Sequence, residues 1–381
     1  MINFCVGREE FLSTYFEKQF LLLRSAADVG DVSWDFINGL LYLVEPALPQ
    51  FKLLHEGTLD EDVYAEDCDE FGVKRRRLKK EQFYGLMGAG ATAIFNRIEV
   101  YSPYIKGLCM EVADFAGGNV AANAYLSYTG SGTFGKHWDT HDVFVIQLFG
   151  TKRWQVFEPT LPLPLRSQTS QNVKRTCPEE AVFDGVLEAG DVMYLPRGWW
   201  HVATPMDHVS FHVTVGMYYP NMMEYAAWCA SKYLPEVLLA RRSAHLDGMD
   251  QTDLDTLAEL MRNAIANPLH YEEFRLERLL AERVVTPFNL ERFTTERIVP
   301  LHDTRQIRLC SNLDTNLDRR YLRLNGSLSR RSQCDIDAIG VLAERRNLSV
   351  GLLRVSLAEH TPEAINATLE DLLKKNIISL I

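Results

Sequence analysis

The chain has 381 residues, 46% hydrophobic and 24% charged, the balance of a globular protein with material for about two or three domains. A net charge of −11 excludes a global basic field for nucleic acid. Seven cysteines without a C-x-x-C pair exclude a disulfide framework and a cysteine-rich zinc site, and point to a reducing compartment.

In chain order, the N-terminus acquires charge at Arg8, Glu9 and Glu10 and has no secretory apolar stretch. No apolar run reaches the ~18 residues of a membrane span. A cytoplasmic location with no membrane partner is expected. Residues 9–24 read as an amphipathic helix, with Phe11, Leu12, Tyr15 and Phe16 at helical spacing, running into a buried strand at 20–23. Residues 33–44 read as a short helix with Ser33 as N-cap. An acidic stretch, 60–70, meets a basic one, 74–80. The preferred reading is a solvated loop whose charges partly neutralise each other; the alternative is a docking site for a charged protein or RNA. Residues 88–93 spell G-x-G-x-x-A, but they follow a helix and precede a strand, the reverse of a dinucleotide-binding order.

Ser102-Pro103 opens a helix through Ala113, with Tyr104, Leu108 and Val112 on one face. Residues 123–127 alternate like a strand, and 129–132 form a turn with no following helix to present N–H groups to a phosphate. Residues 141–149 are apolar on both alternating faces, as in a strand buried on both sides; Gly150 is expected to turn the chain and 153–157 to return it. A turn at 188–191 and strands at 192–196 and 210–215 complete a set of short strands, arguing for a sandwich or small barrel. After Tyr219 helices take over. They cover 221–233, a stripe of Leu254, Leu257, Met261, Ala264 and Ile265 capped by Thr252 or Asp253 and ended before Pro268, and 275–284. They either pack within the chain or contact a second copy. The tail reads as a strand at 320–324, an Asn325-Gly326 turn, a helix opened by Thr361 and Pro362 with Ile365, Leu369 and Leu372 on its core face, and a strand at 377–381. That order is compatible with a winged helix.

The chemistry centres on His137-Trp138-Asp139 and on His201, which closes Arg197-Gly-Trp-Trp. In a strand, positions i and i+2 share a face, so His137 and Asp139 can bind one ion from adjacent pleats. His201 must then come from a neighbouring strand. Two imidazoles and a carboxylate on one face of an octahedron leave open positions, the arrangement of non-haem Fe(II) oxygenases. His-x-Asp alone is a weak signal, and a lone buried histidine is more often a hydrogen-bonded core residue. The case strengthens because an unpaired Asp139 between apolar strands would be costly. His141 and His212 are rival ligands, although His141 lies ~13 Å along the strand from His137. Lys152 is either a solvated turn lysine or an ammonium gripping a cosubstrate carboxylate. At ~4 Å and an effective dielectric near 20 the latter attraction is about 4 kcal/mol before desolvation. Tyr125 and Thr214 could add hydroxyl donors. A zinc hydrolase satisfies the ligands but gives no reason for Lys152.

The runs 137–139, 142–154 and 190–201 resemble the JmjC-type ribosomal oxygenases of the cupin superfamily. The resemblance extends over about residues 10–219 and more weakly into the tail. It implies a mainly β plus α fold: a double-stranded β-helix (cupin/JmjC barrel) with an N-terminal helical elaboration over 1–219, a helical dimerisation region over 220–300 and a winged-helix-like domain over 301–381. It further implies Fe(II), 2-oxoglutarate as cosubstrate and O2, used to hydroxylate a side chain of a protein substrate, with a ribosomal protein favoured. His137, Asp139 and His201 would be the iron ligands. Lys152 stands where relatives hold the far carboxylate of 2-oxoglutarate, and Asn123, Tyr125 and Thr214 where they line its pocket. A homodimer is expected. The winged helix of this family lacks a basic face, so no nucleic-acid binding is expected. The alternatives are the same chemistry on a biosynthetic peptide or small molecule, and a non-catalytic cupin regulator.

Overall fold

A computed structural model describes residues 1–30, 32–46, 49–129, 134–244, 248, 250–279, 301–310, 321–324, 327–345 and 347–380. The chain forms two compact units, Met1–Tyr218 and Tyr219–Ile381. In the first, the strands are β1 (Leu21–Leu23), β2 (Phe51–Leu54), β3 (Ala65–Glu70), β4 (Val73–Leu78), β5 (Thr92–Asn96), β6 (Asn119–Ser127), β7 (Asp142–Phe157), β8 (Phe183–Glu188), β9 (Val192–Leu195) and β10 (Trp200–Tyr218). Eight of them build one sheet in the order β1-β9-β7-β10-β6-β5-β2, with β8 also on β7. Its pairs are antiparallel.

The sheet is organised by β7 and β10, which run side by side from Trp200 opposite Phe157 to Met217 opposite Asp142. The two-residue period of β7 sends Val143 and Val145 into a layer with Trp154, Val156, Leu187, Met193 and Leu195. The alternate residue Phe144 faces the rings of Phe11, Phe115 and Tyr194. Both faces are therefore covered, which is why this run is apolar throughout. Each fully buried large side chain contributes about 1.5–3 kcal/mol.

Gly150 does not turn the chain. It lies inside β7 at φ 65°, opposite a register shift between Pro205 and Ser210 of β10. A Cβ on Gly150 would stand 1.8 Å from the Val209 carbonyl oxygen. The glycine accommodates a bulge in the neighbouring strand, and the ladder continues past it.

The N-terminal helix is shorter than its pattern predicts. One α-turn, Arg8–Glu10, continues as a π-type segment, Phe11–Tyr15, and Glu17 at φ 56° follows. Ser33 caps Trp34–Leu41 through Phe36 N at 3.3 Å. The charged stretch is a paired hairpin rather than a loop, because its register sets Glu66 opposite Arg77, Asp67 opposite Arg76 and Asp69 opposite Lys74. Opposite charges across a ladder favour that pairing, and Arg77–Glu66 closes to 2.8 Å. Helix Lys80–Gly88 precedes β5, so the glycines at 88–90 join a helix to a strand. Ser102 caps helix Pro103–Ala116, which Gly117 ends in the left-handed region.

In the second unit, Asn221 caps Met222–Tyr233. Gln251–Ala266 is capped by Asp250, one turn ahead of its apolar stripe and not by Thr252 or Asp253. Pro268–Leu279 begins earlier than the predicted 275 because Pro268 both ends one helix and opens the next; the expectation for 280–284 lies outside the described residues. Tyr225, Cys229, Ala264 and Phe274 form their core. The tail contains β11 (Gln306–Leu309), β12 (Tyr321–Leu324), β13 (Ser327–Arg330), β14 (Asn347–Ser349) and β15 (Ile378–Leu380). β12 and β13 pair around residues 325 and 326, which lie outside the description. The sheet β14-β11-β15 and helices Gln333–Arg345, Val350–Ser356 and Pro362–Lys374 share a core including Ile307, Leu342, Leu353, Leu369 and Leu372. Thr361 caps the last helix, with Pro362 in its first turn. Among the described residues the cysteines form no disulfide. Among the described residues, no helix is long and apolar enough to cross a membrane.

Candidate active site

His137, Asp139 and His201 converge, each offering one ligand atom within 4.8 Å of the others. The route differs from the expected adjacent pleats. His137 forms an isolated bridge with His201, each N–H donating to the other's carbonyl at 3.0 and 2.8 Å. Asp139 sits in the loop beyond, and its carbonyl accepts from Gly198 N at 3.0 Å. A lone bridge to the second residue of β10 fixes the first histidine, and the loop then swings the carboxylate inward. His201 Nε2 lies 3.6 Å from Asp139 Oδ2.

Both imidazoles are oriented by their own backbone. Nδ1 of His137 faces Gly135 O at 3.0 Å and Nδ1 of His201 faces Trp199 O at 3.0 Å. Those carbonyls can only accept, so Nδ1 carries the proton and each Nε2 lone pair is free for a cation. Burial, and then the neighbouring His137, push His201 down to about 4, so it is neutral and ready to ligate at neutral pH. Burial alone would raise the Asp139 carboxyl, but the imidazoles of His201, His137 and His141 outweigh it and hold the group below its ordinary range. The turn before His201 is anchored by Asp142, which accepts from Arg197 N at 2.9 Å and the Tyr194 hydroxyl at 3.3 Å. Burial pushes its carboxyl up to about 6. Gly198, at φ 87°, is needed there because a Cβ would meet Leu161 O at 2.5 Å. The rival histidines lie outside the cluster. His141 stacks on Tyr218, and His212 is enclosed between Tyr125, at 4.9 Å, and Trp154, at 5.5 Å.

Lys152 is not a solvated turn residue. It is 4% exposed, and its Nζ donates to Ser127 Oγ at 3.1 Å. Burial pushes its ammonium down to about 7. The bond to Ser127 sets this lysine against a neutral hydroxyl. On β6 and β10, Asn123 pairs with Thr214 and Tyr125 with His212. The Tyr125 hydroxyl bonds the side chains of Thr214 and Asn123, while burial and then the Asp139 charge push it up to about 12. It therefore stays a donor. Asn123 also accepts from Arg97 N at 3.2 Å. The two-residue period puts Ser127 on the face of Tyr125 and Asn123, so sequence alone could have added it to the pocket.

Beyond Thr214 the same file of β10 continues through Gly216 to Tyr218. His141 lies against Gly216, whose absent Cβ would stand 2.7 Å from the ring, and stacks on Tyr218 at 4.9 Å and 21°. The Arg166 guanidinium lies 5.6 Å from the Tyr218 ring centroid. Sequence reasoning missed this group, because Arg166 comes from a loop whose return to the site has no periodic signal.

Residues 99–225, which span this site, match the family described as JmjC domain. That stretch is similar to a JmjC domain. Around it, the chain is 29% identical over 228 residues to the bifunctional lysine-specific demethylase and histidyl-hydroxylase NO66 of Drosophila mojavensis, covering 58% of this chain and 25% of that protein. The NO66 protein of Drosophila persimilis is 39% identical over 129 residues, or 32% of this chain and 18% of the relative. This chain thus spans a quarter or less of those two relatives' lengths. Among solved structures, Escherichia coli YcfD, a ribosomal oxygenase in complex with cobalt and 2-oxoglutarate, superposes with a TM-score of 0.58 at 18% identity, over 100% of this chain and 99% of that one. Its complex with cobalt and succinic acid gives 0.59 at 18% identity, over the same 100% and 99%. The chain therefore shares the fold of YcfD.

Proposed function

We propose that this protein is an Fe(II)- and 2-oxoglutarate-dependent oxygenase that hydroxylates a side chain of a protein, with a ribosomal protein as the favoured substrate. The observation that carries the reading is the pairing of two unlike features in one barrel. A two-histidine, one-carboxylate cluster with free Nε2 lone pairs stands beside a buried lysine set against a hydroxyl rather than an acid. The cluster fits a divalent metal with open positions, and the lysine fits the far carboxylate of a dicarboxylic oxo acid. NO66, named as a histidyl-hydroxylase, and YcfD, named as a ribosomal oxygenase, support the choice of substrate.

His137, Asp139 and His201 would hold the iron, Lys152 and Ser127 the far carboxylate, and Tyr125, with Asn123 and Thr214, the wall between them. Iron and cosubstrate, when bound, supply oxygen activation coupled to decarboxylation of 2-oxoglutarate to succinate and CO2. The chain's residues do the rest. Nδ1–H bonds to Gly135 O and Trp199 O fix both rings before metal arrives, Tyr125 stays protonated as a donor, and Trp154 and Val156 are buried in the apolar layer behind β7. Such preorganisation is the protein's contribution to cofactor chemistry.

The test is mass spectrometry of ribosomal proteins incubated with the protein, Fe(II) and 2-oxoglutarate, with Asp139→Ala as control. One added oxygen on a single peptide, absent from the control, is expected. Succinate formation without a modified peptide would keep the oxygenase and remove the ribosomal target. Neither signal, or full activity in Asp139→Ala, would overturn the assignment.

A further inference from the structure

The hairpin of β3 and β4 closes on a residue that its turn does not favour. Glu70 pairs with Val73, so Phe71 and Gly72 make the turn, and both have positive φ, 55° and 82°. A two-residue turn of that sort favours Asn-Gly, because a large side chain is strained in the left-handed region. Asp69 Oδ1 braces it by accepting from Gly72 N at 2.8 Å. The strained residue is nevertheless a phenylalanine. It is 106% exposed, and Val73 beside it is 54% exposed. Its own chain gains neither backbone ease nor core packing from a ring in that place.

Next to the tip lies a cleft of about 510 Å3, lined by residues of helix Trp34–Leu41, β4 and helix Lys80–Gly88. Leu41, Val44, Leu78 and Phe83 are its apolar lining. Its charged lining is four cations, Arg75, Arg76, Arg77 and Lys80, against two acids, Glu45 and Glu70. Arg76 and Arg77 are held by Asp62 and Glu66 at 2.6 and 2.8 Å. Arg75 is half exposed and stands 3.8 Å from both Glu45 and Glu70. Those separations are too long for hydrogen bonds, so its donors remain available. Lys80 is exposed on the same lining. At its full exposure the chain's own Phe71 is outside this cleft, although Glu70 next to it is on the lining.

We propose that the Phe71 tip of one copy of this chain docks in the cleft of a second copy. The ring meets the apolar lining, and Glu70 meets Arg75 and Lys80 of the other copy. Because tip and cleft adjoin, a single two-fold axis lets each copy receive the other's ring. The contact belongs wholly to the first unit and is separate from the helices that the sequence offers to a second copy over 220–300. Each copy carries a net charge of −11, so the long-range field opposes association. The local opposite charges and the two enclosed rings outweigh it.

The test is sedimentation equilibrium of the full chain. Phe71→Asn suits the turn better than the native residue, so it removes the ring while keeping the hairpin. Its self-association is expected to be weaker than the wild type's by about tenfold or more, with a melting temperature equal or higher. Glu70→Arg and Arg75→Glu should each weaken association in the same way, since each sets like charges at both contacts. An equimolar mixture of those two variants should associate about as tightly as the wild type, because in the mixed pair every tip faces a cleft of opposite sign. A disturbance confined to one chain would persist in the mixture. Wild type and Phe71→Asn with the same association constant would overturn the self-contact and leave the cleft to an acidic segment of a different protein. A mixture no tighter than its separate components would overturn it too.

Discussion

A lysine enclosed without a carboxylate is costly in the empty protein and becomes useful only when an anion arrives. With the Lys152 ammonium pushed down to about 7, against an unfolded value of ~10.4, the unfolded chain holds more protons between those limits. The lysine's penalty is therefore fully present below pH 7, and stability rises with pH as the group loses its proton through the window from 7 to ~10. On the proposed reading, bound 2-oxoglutarate favours the ammonium, so binding takes up a proton above pH 7 and affinity falls as pH rises further. Calorimetry at pH 8 in two buffers of different ionisation enthalpy is expected to register that uptake. Lys152→Met should abolish the uptake and lose ~2–5 kcal/mol of cosubstrate binding. It should also be more stable than the wild type at pH 7, because a buried charge is gone. At this scale His137, Asp139 and His201 were legible from residue type and spacing, although the reason given, two pleats of one strand, was not how the fold brings them together. Ser127 was missed because a serine next to an apolar run carries no chemical signal until the lysine is seen beside it.

At the scale of elements, β7 shows what alternation can and cannot reveal. Its apolar period on both faces marked a strand covered on both sides, and the covering layers are there. The same pattern says nothing about whether Gly150 reverses the chain or faces a bulge, since either use needs a positive φ. Gly150→Ala tests the bulge. The left-handed backbone and the 1.8 Å approach to Val209 O should together cost about 3 kcal/mol or more. A drop of roughly 5–10 °C in the melting of the first unit is expected. Because Lys152 lies two residues away, cosubstrate affinity should fall with it. The turn at 188–191 was legible as a turn, but not as a clamp. Asp191, 3% exposed, accepts from Arg24 Nη1 at 2.6 Å, Ser25 N at 2.9 Å and Glu188 N at 2.9 Å, tying the segment after β1 to the turn before β9. Asp191→Ala leaves those donors without their acceptor and should cost ~2–4 kcal/mol by urea denaturation. No local pattern around Gly190-Asp191 encodes partners more than 160 residues away.

Over the whole molecule, a net charge of −11 sets the long-range field that a partner meets first. If the substrate is a basic ribosomal protein, that field steers it inward, and salt should weaken the encounter. KM for the protein substrate is expected to rise severalfold between ~50 and ~200 mM NaCl, a range over which the Debye length shortens from roughly 14 to 7 Å. The kcat should change little, because the chemistry is enclosed. A KM indifferent to salt would assign recognition to short-range contacts alone. The charged hairpin illustrates why such fields cannot be read from runs of sequence. Its acidic and basic halves, each strong in one dimension, fold into a ladder where Glu66 meets Arg77 and Asp67 meets Arg76, so the two charges offset each other within the hairpin.

The pairing of β7 with β10 has a consequence for how the site tolerates divergence. Val156, opposite His201, and Lys152, opposite Pro205, are positions of one uninterrupted strand, so four residues of extended backbone, ~13 Å, separate the two levels they mark. That span is a ruler graduated in peptide bonds. Its length is set by covalent geometry, and repacking of the surrounding side chains leaves it unchanged. Sequence can drift around such a gauge while the interval between its two marks stays the same.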